Sequence, residues 1–316
     1  MLDQKRTRFL ISAFCIMFFC AFGCGKPLHK DSEFLMGTFV EVISRDAKAK
    51  DIVFSELKRL EGIFNLFDKD SELSRLNASG ALRVSPELFY VLKEAMRFHE
   101  QTNGVFDVTV APLSLRWKAA IREQELPKDE EIKRLSQLVG FDYVYLDEET
   151  RDVRLLKSGS SIDLGGIAKG YAVDMAVAKL RQAKINSAIV NAGGNLYCLG
   201  DNNGVPWQAG IQDPRHEKRV LLRISVKDKG VSTSGDYEQF FIYKNKRYSH
   251  IIDPRTGYPA DTGIIAATVV ASDAITADVL STALVILGIE KSSELLKSFP
   301  GATAKLIDAS GRIMDI

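Results

Sequence analysis

Between residues 187 and 271 the chain carries a succession of short runs rich in β-branched and aromatic residues: SAIVN, NLYCLG, WQAGI, VLLRISV, GVSTSG, EQFFIY, YSHII and IIAATVVA. Runs of this length, separated by glycine, asparagine and proline turns, read as strands. Helical periodicity brackets them. Residues 47–67 place Ile52, Val53, Leu57, Leu60, Ile63, Phe64 and Phe67 on one face. Ser85-Pro86 opens a second amphipathic helix, with serine as N-cap and proline at the first position, and Asn103-Gly104 ends it. Further helices are predicted over 128–138, Ile167 to Lys184, 274–288 and 290–297, and ATAKLID closes the chain with a strand. Helices early, strands in the middle and helices late give an α+β fold, a mainly antiparallel sheet flanked by helices.

Two earlier stretches complete the expectation. FLMGTFVEVIS, from Phe34, alternates as one strand, and YVYL with VRLL makes a hairpin-like pair. DKDSELSRLNASG reads as a polar loop with at most one helical turn.

The N-terminus stands apart from this fold. Lys5, Arg6 and Arg8 precede an apolar run from Phe9 to Phe22 that is too short for a membrane span of roughly 20 residues and suits a secretory signal. It ends in Ala21-Phe22-Gly23-Cys24-Gly25, similar to a bacterial lipoprotein cleavage box with Cys24 as the lipidated residue. A plain signal peptide and an uncleaved anchor are the other readings. The organisation expected is therefore a signal over 1–24, a tether over 25–33 and one domain over 34–316. Cys15 and Cys20 leave with the signal, so the domain keeps Cys198 alone and no internal disulfide is available. Net charge is +1, with no basic stripe interleaved with aromatics, which argues against a nucleic-acid partner.

Three glycine-bearing or polar segments carry chemistry. In Asp163-Leu164-Gly165-Gly166-Ile167-Ala168-Lys169-Gly170 a double-glycine turn feeds a helix, so backbone N–H groups and Lys169 can meet an anion. On spacing alone a plain turn with a surface lysine serves as well. Asp278 and Thr282 lie four apart on one helical face, two hard oxygens that suit Mg²⁺ if a carbonyl and phosphates complete the shell; such pairs are more often solvated or capping. His250 stands just before the turn Asp253-Pro254-Arg255-Thr256-Gly257, where a side chain can face a cleft and act as general base. A lone histidine is more often structural.

Read together, MGT, FDKDSELSRLN, GVFDVTVAPL, DLGGIAKGYAVD, NAGGNLY, STSGDYEQFF, YSHIIDPRTGYP and ASDAITADVLSTA, in this order, resemble the FAD:protein FMN transferases, the ApbE family. The resemblance runs from about Met36 to past Thr282. It implies an FAD cleft between two packed lobes. It implies flavin or nucleotide contacts at Met36, Phe67 (where many members carry tyrosine), Val105, Phe106, Asp107, Asp163, Lys169 and Ile251. It implies a Mg²⁺ site from the Gly166 carbonyl, Asp278 and Thr282, and His250 as the base. The activity implied is transfer of the FMN half of FAD to a Ser/Thr hydroxyl of an acceptor flavoprotein subunit, an exported or membrane-bound redox protein. A Mg²⁺-dependent FAD pyrophosphatase and a non-catalytic FAD-binding lipoprotein remain alternatives.

Overall fold

The computed structural model describes residues 27–316, and the signal with Cys24 lies outside the described residues. The chain opens on a hairpin, β1 (His29–Leu35) and β2 (Thr38–Ser44). Met36 and Gly37 form its two-residue loop with φ of +53° and +71°, the left-handed pair that matches the twist of the flanking strands. This corrects two expectations. FLMGTFVEVIS is two paired strands, not one, and residues 29–33, expected in the tether, are held in β1 by pairing from His29↔Ser44 to Leu35↔Thr38.

Helices α1 (Ala49–Phe64), α2 (Glu72–Ser79) and α3 (Pro86–Gln101) follow, with strand β3 (Ala81–Arg83) between the last two. The α2 segment, expected as a loop, is helical because Ser71 caps it, accepting from Ser74 N, and Gly80 ends it at φ +72°. Ser85 caps α3 as its sequence implies, accepting from Leu88 N at 3.2 Å. Two helices come next, α4 (Ala111–Glu123) and α5 (Asp129–Ser136), then strands β4 (Val144–Leu146) and β5 (Asp152–Leu155). These two strands and β3 make a small sheet ordered β3-β5-β4.

Helix α6 (Ala168–Gln182) leads into β6 (Ala188–Ala192), β7 (Asn195–Leu199), β8 (Trp207–Asp213), β9 (His216–Val226), β10 (Lys229–Gly235), β11 (Phe240–Tyr243), β12 (Lys246–Ser249) and β13 (Ile264–Ala271). Helix α7 (Ala274–Leu296), β14 (Thr303–Asp308) and β15 (Ile313–Asp315) close the fold. The gap expected after residue 288 is real as a kink: Gly288 has φ +76° inside α7.

The main sheet has eight strands in the order β1-β2-β6-β7-β10-β13-β14-β15, each neighbour antiparallel to the next. Helices α1, α6 and α7 cover one face, burying Leu57, Leu60, Val173, Val177, Leu280 and Leu284 in the principal core. A second apolar cluster joins Leu113 and Trp117 of α4, Ile132 of α5, Phe241 of β11 and Ile252. The site lies where these two bodies meet.

Helices α6 and α7 approach without a spacer. A Cβ on Gly170 would stand 2.5 Å from the Ala274 carbonyl oxygen and 2.7 Å from Ile275 Cα. Only glycine permits that approach. Asp174 of α6 then accepts from Ala274 N at 2.8 Å and Ile275 N at 2.9 Å, satisfying two open donors at the start of α7. The first turns of both helices are thereby locked together.

Candidate active site

Asp278 and Thr282 face inward from α7 beside the Gly165-Gly166 turn. Asp278 is buried, and its carboxylate accepts from Gly170 N at 2.9 Å. Burial raises its carboxyl above the ordinary range, opposed in part by Lys169 and by that N–H. A cation near it would remove the penalty. Thr282 Oγ1 lies 3.2 Å from Ser234 Oγ, and a Cβ on Gly166 would be 3.5 Å from the same Thr282 oxygen and 3.1 Å from the Phe106 ring. Gly166, Asp278 and Thr282 are thus brought to one place. Among the described residues no three His, Cys, Asp or Glu side chains converge as a metal cluster. The side-chain donors here are instead one carboxylate and one hydroxyl, hard oxygens that suit a small divalent cation.

Behind this pair runs a ladder of hydroxyls that the sequence did not announce. Ser281 Oγ donates to the Asp278 carbonyl at 2.9 Å and lies 2.8 Å from Ser234 Oγ and 3.1 Å from Ser232 Oγ. Ser232 Oγ in turn donates to Asn195 Oδ1 at 2.6 Å. The ladder gives a role to the STSG segment of β10: it fixes the rotamer of Thr282 from the sheet side.

His250 follows β12. Its backbone N–H reaches the Gln239 carbonyl at 3.0 Å, and its ring Nδ1 lies 3.2 Å from the same oxygen. A carbonyl only accepts, so the ring proton sits on Nδ1 and Nε2 carries the free lone pair. The ring is half-buried, and desolvation lowers its pKa to about 4; the Gln239 bond opposes the shift, Lys118 and Lys169 add to it, and Asp163 opposes it. The imidazole is therefore neutral at physiological pH, as a proton acceptor must be.

Asp163 is the third fixed point. Ser114 Oγ and Lys118 Nζ, one turn apart on α4, both bond its Oδ2, at 2.8 and 2.9 Å, and Gly165 N bonds its Oδ1 at 2.9 Å. Burial works against ionisation here, yet Lys118, Ser114 and the Gly165 N–H together hold the carboxyl below its ordinary range. Lys118 Nζ also stands 5.4 Å from the centre of the Phe67 ring, which is 74% exposed. Lys169 Nζ turns back to the Gly165 carbonyl at 3.0 Å, and its charge acts on both Asp278 and His250. The two halves of the site share that ammonium.

The remaining expected residues lie in the walls and loops around these groups. Val105 and Phe106 are buried in the principal core, Phe106 under Gly166. Asp107 is buried with its carboxylate engaged: Oδ1 accepts from Thr109 N at 2.7 Å and Thr109 Oγ1 at 2.6 Å, while Oδ2 lies 3.3 Å from His99 Nδ1. Its side chain shapes the loop. Met36 N donates to Glu61 Oε1 at 2.9 Å at the hairpin tip. Ile251 is buried and pairs through its carbonyl with Ala260 N at 2.8 Å.

Helix α4 and its Ser114 and Lys118 were missed by sequence reasoning. The signal was present: Leu113, Trp117 and Ala120 fall at i, i+4 and i+7 behind Pro112. Trp117 bolts the helix to the histidine segment, donating Nε1–H to the Gly257 carbonyl at 2.8 Å and stacking on Tyr248 with centroids 5.9 Å apart.

A sequence model of the ApbE family matches residues 36–307. The chain belongs to the ApbE family. It is 33% identical over 310 residues to the FAD:protein FMN transferase of Treponema pallidum, covering 90% of this chain and 86% of that one. It is 31% identical over 277 residues to the FAD:protein FMN transferase of Escherichia coli K12, covering 83% and 79%. The ApbE protein of Thermotoga maritima superposes with a TM-score of 0.84 at 34% identity, covering 91% of this chain and 96% of that one. The flavin transferase ApbE of Vibrio cholerae does so with a TM-score of 0.78 at 29% identity, covering 92% and 97%. The α+β architecture expected from the sequence is the architecture of this family.

Proposed function

We propose that this ApbE-family chain cleaves FAD and transfers its FMN moiety to a Ser or Thr hydroxyl of an acceptor protein, with release of AMP. The observation that carries the reading is the pairing of a neutral His250, with Nδ1 pinned and Nε2 open, to the buried Asp278 carboxylate and its neighbour Thr282 through the field of one lysine, Lys169. Flavin storage requires no base. The relatives named above, FAD:protein FMN transferases, point to the same chemistry.

In the reaction the acceptor oxygen forms a bond to the FMN phosphorus while the bond from that phosphorus to the bridging oxygen breaks. His250 Nε2 takes the hydroxyl proton, and AMP leaves with the bridging oxygen. Gly166, Asp278 and Thr282 would hold Mg²⁺, which when bound supplies charge neutralisation at the phosphates. Lys169 sits close enough to add a second positive charge to the same region. Phe67 offers an exposed aromatic face to a flavin ring.

We further propose that the protein is exported and lipid-anchored through Cys24, and that its acceptor is an exported or membrane-bound redox subunit. The basic residues before the Phe9–Phe22 run and the small residues around Cys24 support this. Among the described residues no helix is long and apolar enough to cross a membrane.

The test is AMP release from FAD in Mg²⁺ with and without an acceptor flavoprotein subunit. Release that requires the acceptor fits transfer. Equal release of FMN and AMP without it would make the chain a pyrophosphatase.

A further inference from the structure

Lys118 belongs to none of the motifs that point to the family, yet it touches two residues that those motifs supply. Its ammonium bonds Asp163 Oδ2 at 2.9 Å and lies 5.4 Å from the Phe67 centroid. The aromatic and the carboxylate come from segments almost a hundred positions apart, one from the loop after α1 and the other from the turn before α6. Lys118 meets both.

The helix that carries Lys118 is rigidly placed. Trp117, the preceding residue, is buried and tied to both flanks of the His250 segment, Tyr248 and Gly257. Ser114, one turn earlier, bonds the same Asp163 oxygen. The lysine stem is itself largely covered, with 28% of the side chain exposed. A side chain so enclosed loses little further freedom when a substrate arrives.

We propose that Lys118 is a positioning residue for the flavin nucleotide, bracing the exposed Phe67 ring and Asp163 into one wall of the binding site. This inference rests on the flavin-transfer reading above. Phe67 is open enough to swing without a partner, because its backbone is tied only to Asn65 Oδ1 at 2.9 Å. The ammonium gives it an electrostatic partner. Asp163, largely covered, is held in its ionised form in part by the same ammonium, and its other oxygen keeps Gly165 N in its turn. Loss of the charge releases both, so the effect falls on substrate binding more than on the chemical step.

The experiment compares Lys118→Met, which keeps the stem, and Lys118→Arg, which keeps the charge, with the wild type. Binding is read from quenching of FAD fluorescence, and KM and kcat from AMP release. Lys118→Met is expected to weaken FAD binding and raise KM about tenfold, with kcat within about threefold, and Lys118→Arg to recover most of the loss. Ser114→Ala loosens the same oxygen without changing charge; it is expected to weaken binding about threefold and stands in if Lys118→Met does not fold. Wild-type binding with unchanged FAD affinity in the Met variant, or in Ser114→Ala if that stand-in is needed, overturns the inference and leaves the flavin reading intact. A wild type that does not bind FAD overturns the flavin reading itself.

Discussion

His250 spends both of its N–H groups on one acceptor, the Gln239 carbonyl, at 3.0 Å from the backbone and 3.2 Å from ring Nδ1. The double contact fixes the ring's tautomer and leaves Nε2 free. With the pKa lowered to about 4 by burial, the ring is unprotonated across the neutral range. The profile of kcat/KM, which reports the free enzyme, should therefore show no acid limb near 6.5 and fall only as pH approaches about 4. A limb near the ordinary histidine value would contradict the assignment.

Replacing Asp278 by Asn removes a buried charge but leaves an oxygen for Gly170 N. Without Mg²⁺ the variant should melt a few degrees higher than the wild type, since desolvation of the carboxylate is relieved. Added Mg²⁺ should raise the melting temperature of the wild type and not of the variant, and transfer should fall by about 10² or more. Equal Mg²⁺ stabilisation of both proteins would place the metal elsewhere.

Gly170→Ala tests the crossing that brings the two halves of the site together. The added carbon meets backbone at 2.5 Å, so α6 and α7 must part. A loss of about 3 kcal/mol in denaturant unfolding is expected, at the upper end for overpacking, with activity reduced in the folded fraction. A wild-type midpoint would mean the helices sit further apart than described.

Asp174 gives a pH signature of the fold itself. Burial raises its carboxyl to about 7, against the two N–H groups it accepts from and with Asp273 adding to the rise. A raised folded value means its contribution is fully present below the unfolded value near 4 and is lost as pH rises toward 7. The stability of the wild type relative to Asp174→Asn should therefore decline across that window. A constant difference from pH 4 to 7 would show that the group does not titrate there.

How far the sequence disclosed this molecule depends on the kind of signal each segment carries. The strands from 187 to 271 alternate and are bounded by turn residues, so the sheet was legible. The Met36-Gly37 turn was not, because methionine at positive φ is uncommon and gives no turn signal. Helix α4 hid among Arg116, Lys118 and Arg122, which diluted its apolar face. Of the site, His250, Asp278, Thr282 and Gly166 were found because their spacing or family motif marks them. Lys118, Ser114 and the serine ladder were not, because each acts across the fold on a partner far away in sequence. Asp107 is marked only by its family motif; in the fold its carboxylate engages Thr109 and His99.

The central claim is that the protein forms a covalent bond between FMN and another polypeptide. Intact-mass measurement of an acceptor flavoprotein subunit after incubation with FAD, Mg²⁺ and this protein tests it most directly. The account predicts an acceptor heavier by FMN less one water, and no such adduct, despite retained FAD binding, with His250→Ala. An acceptor of unchanged mass while FAD is consumed to FMN and AMP, or an adduct formed equally well by the His250→Ala variant, would contradict it.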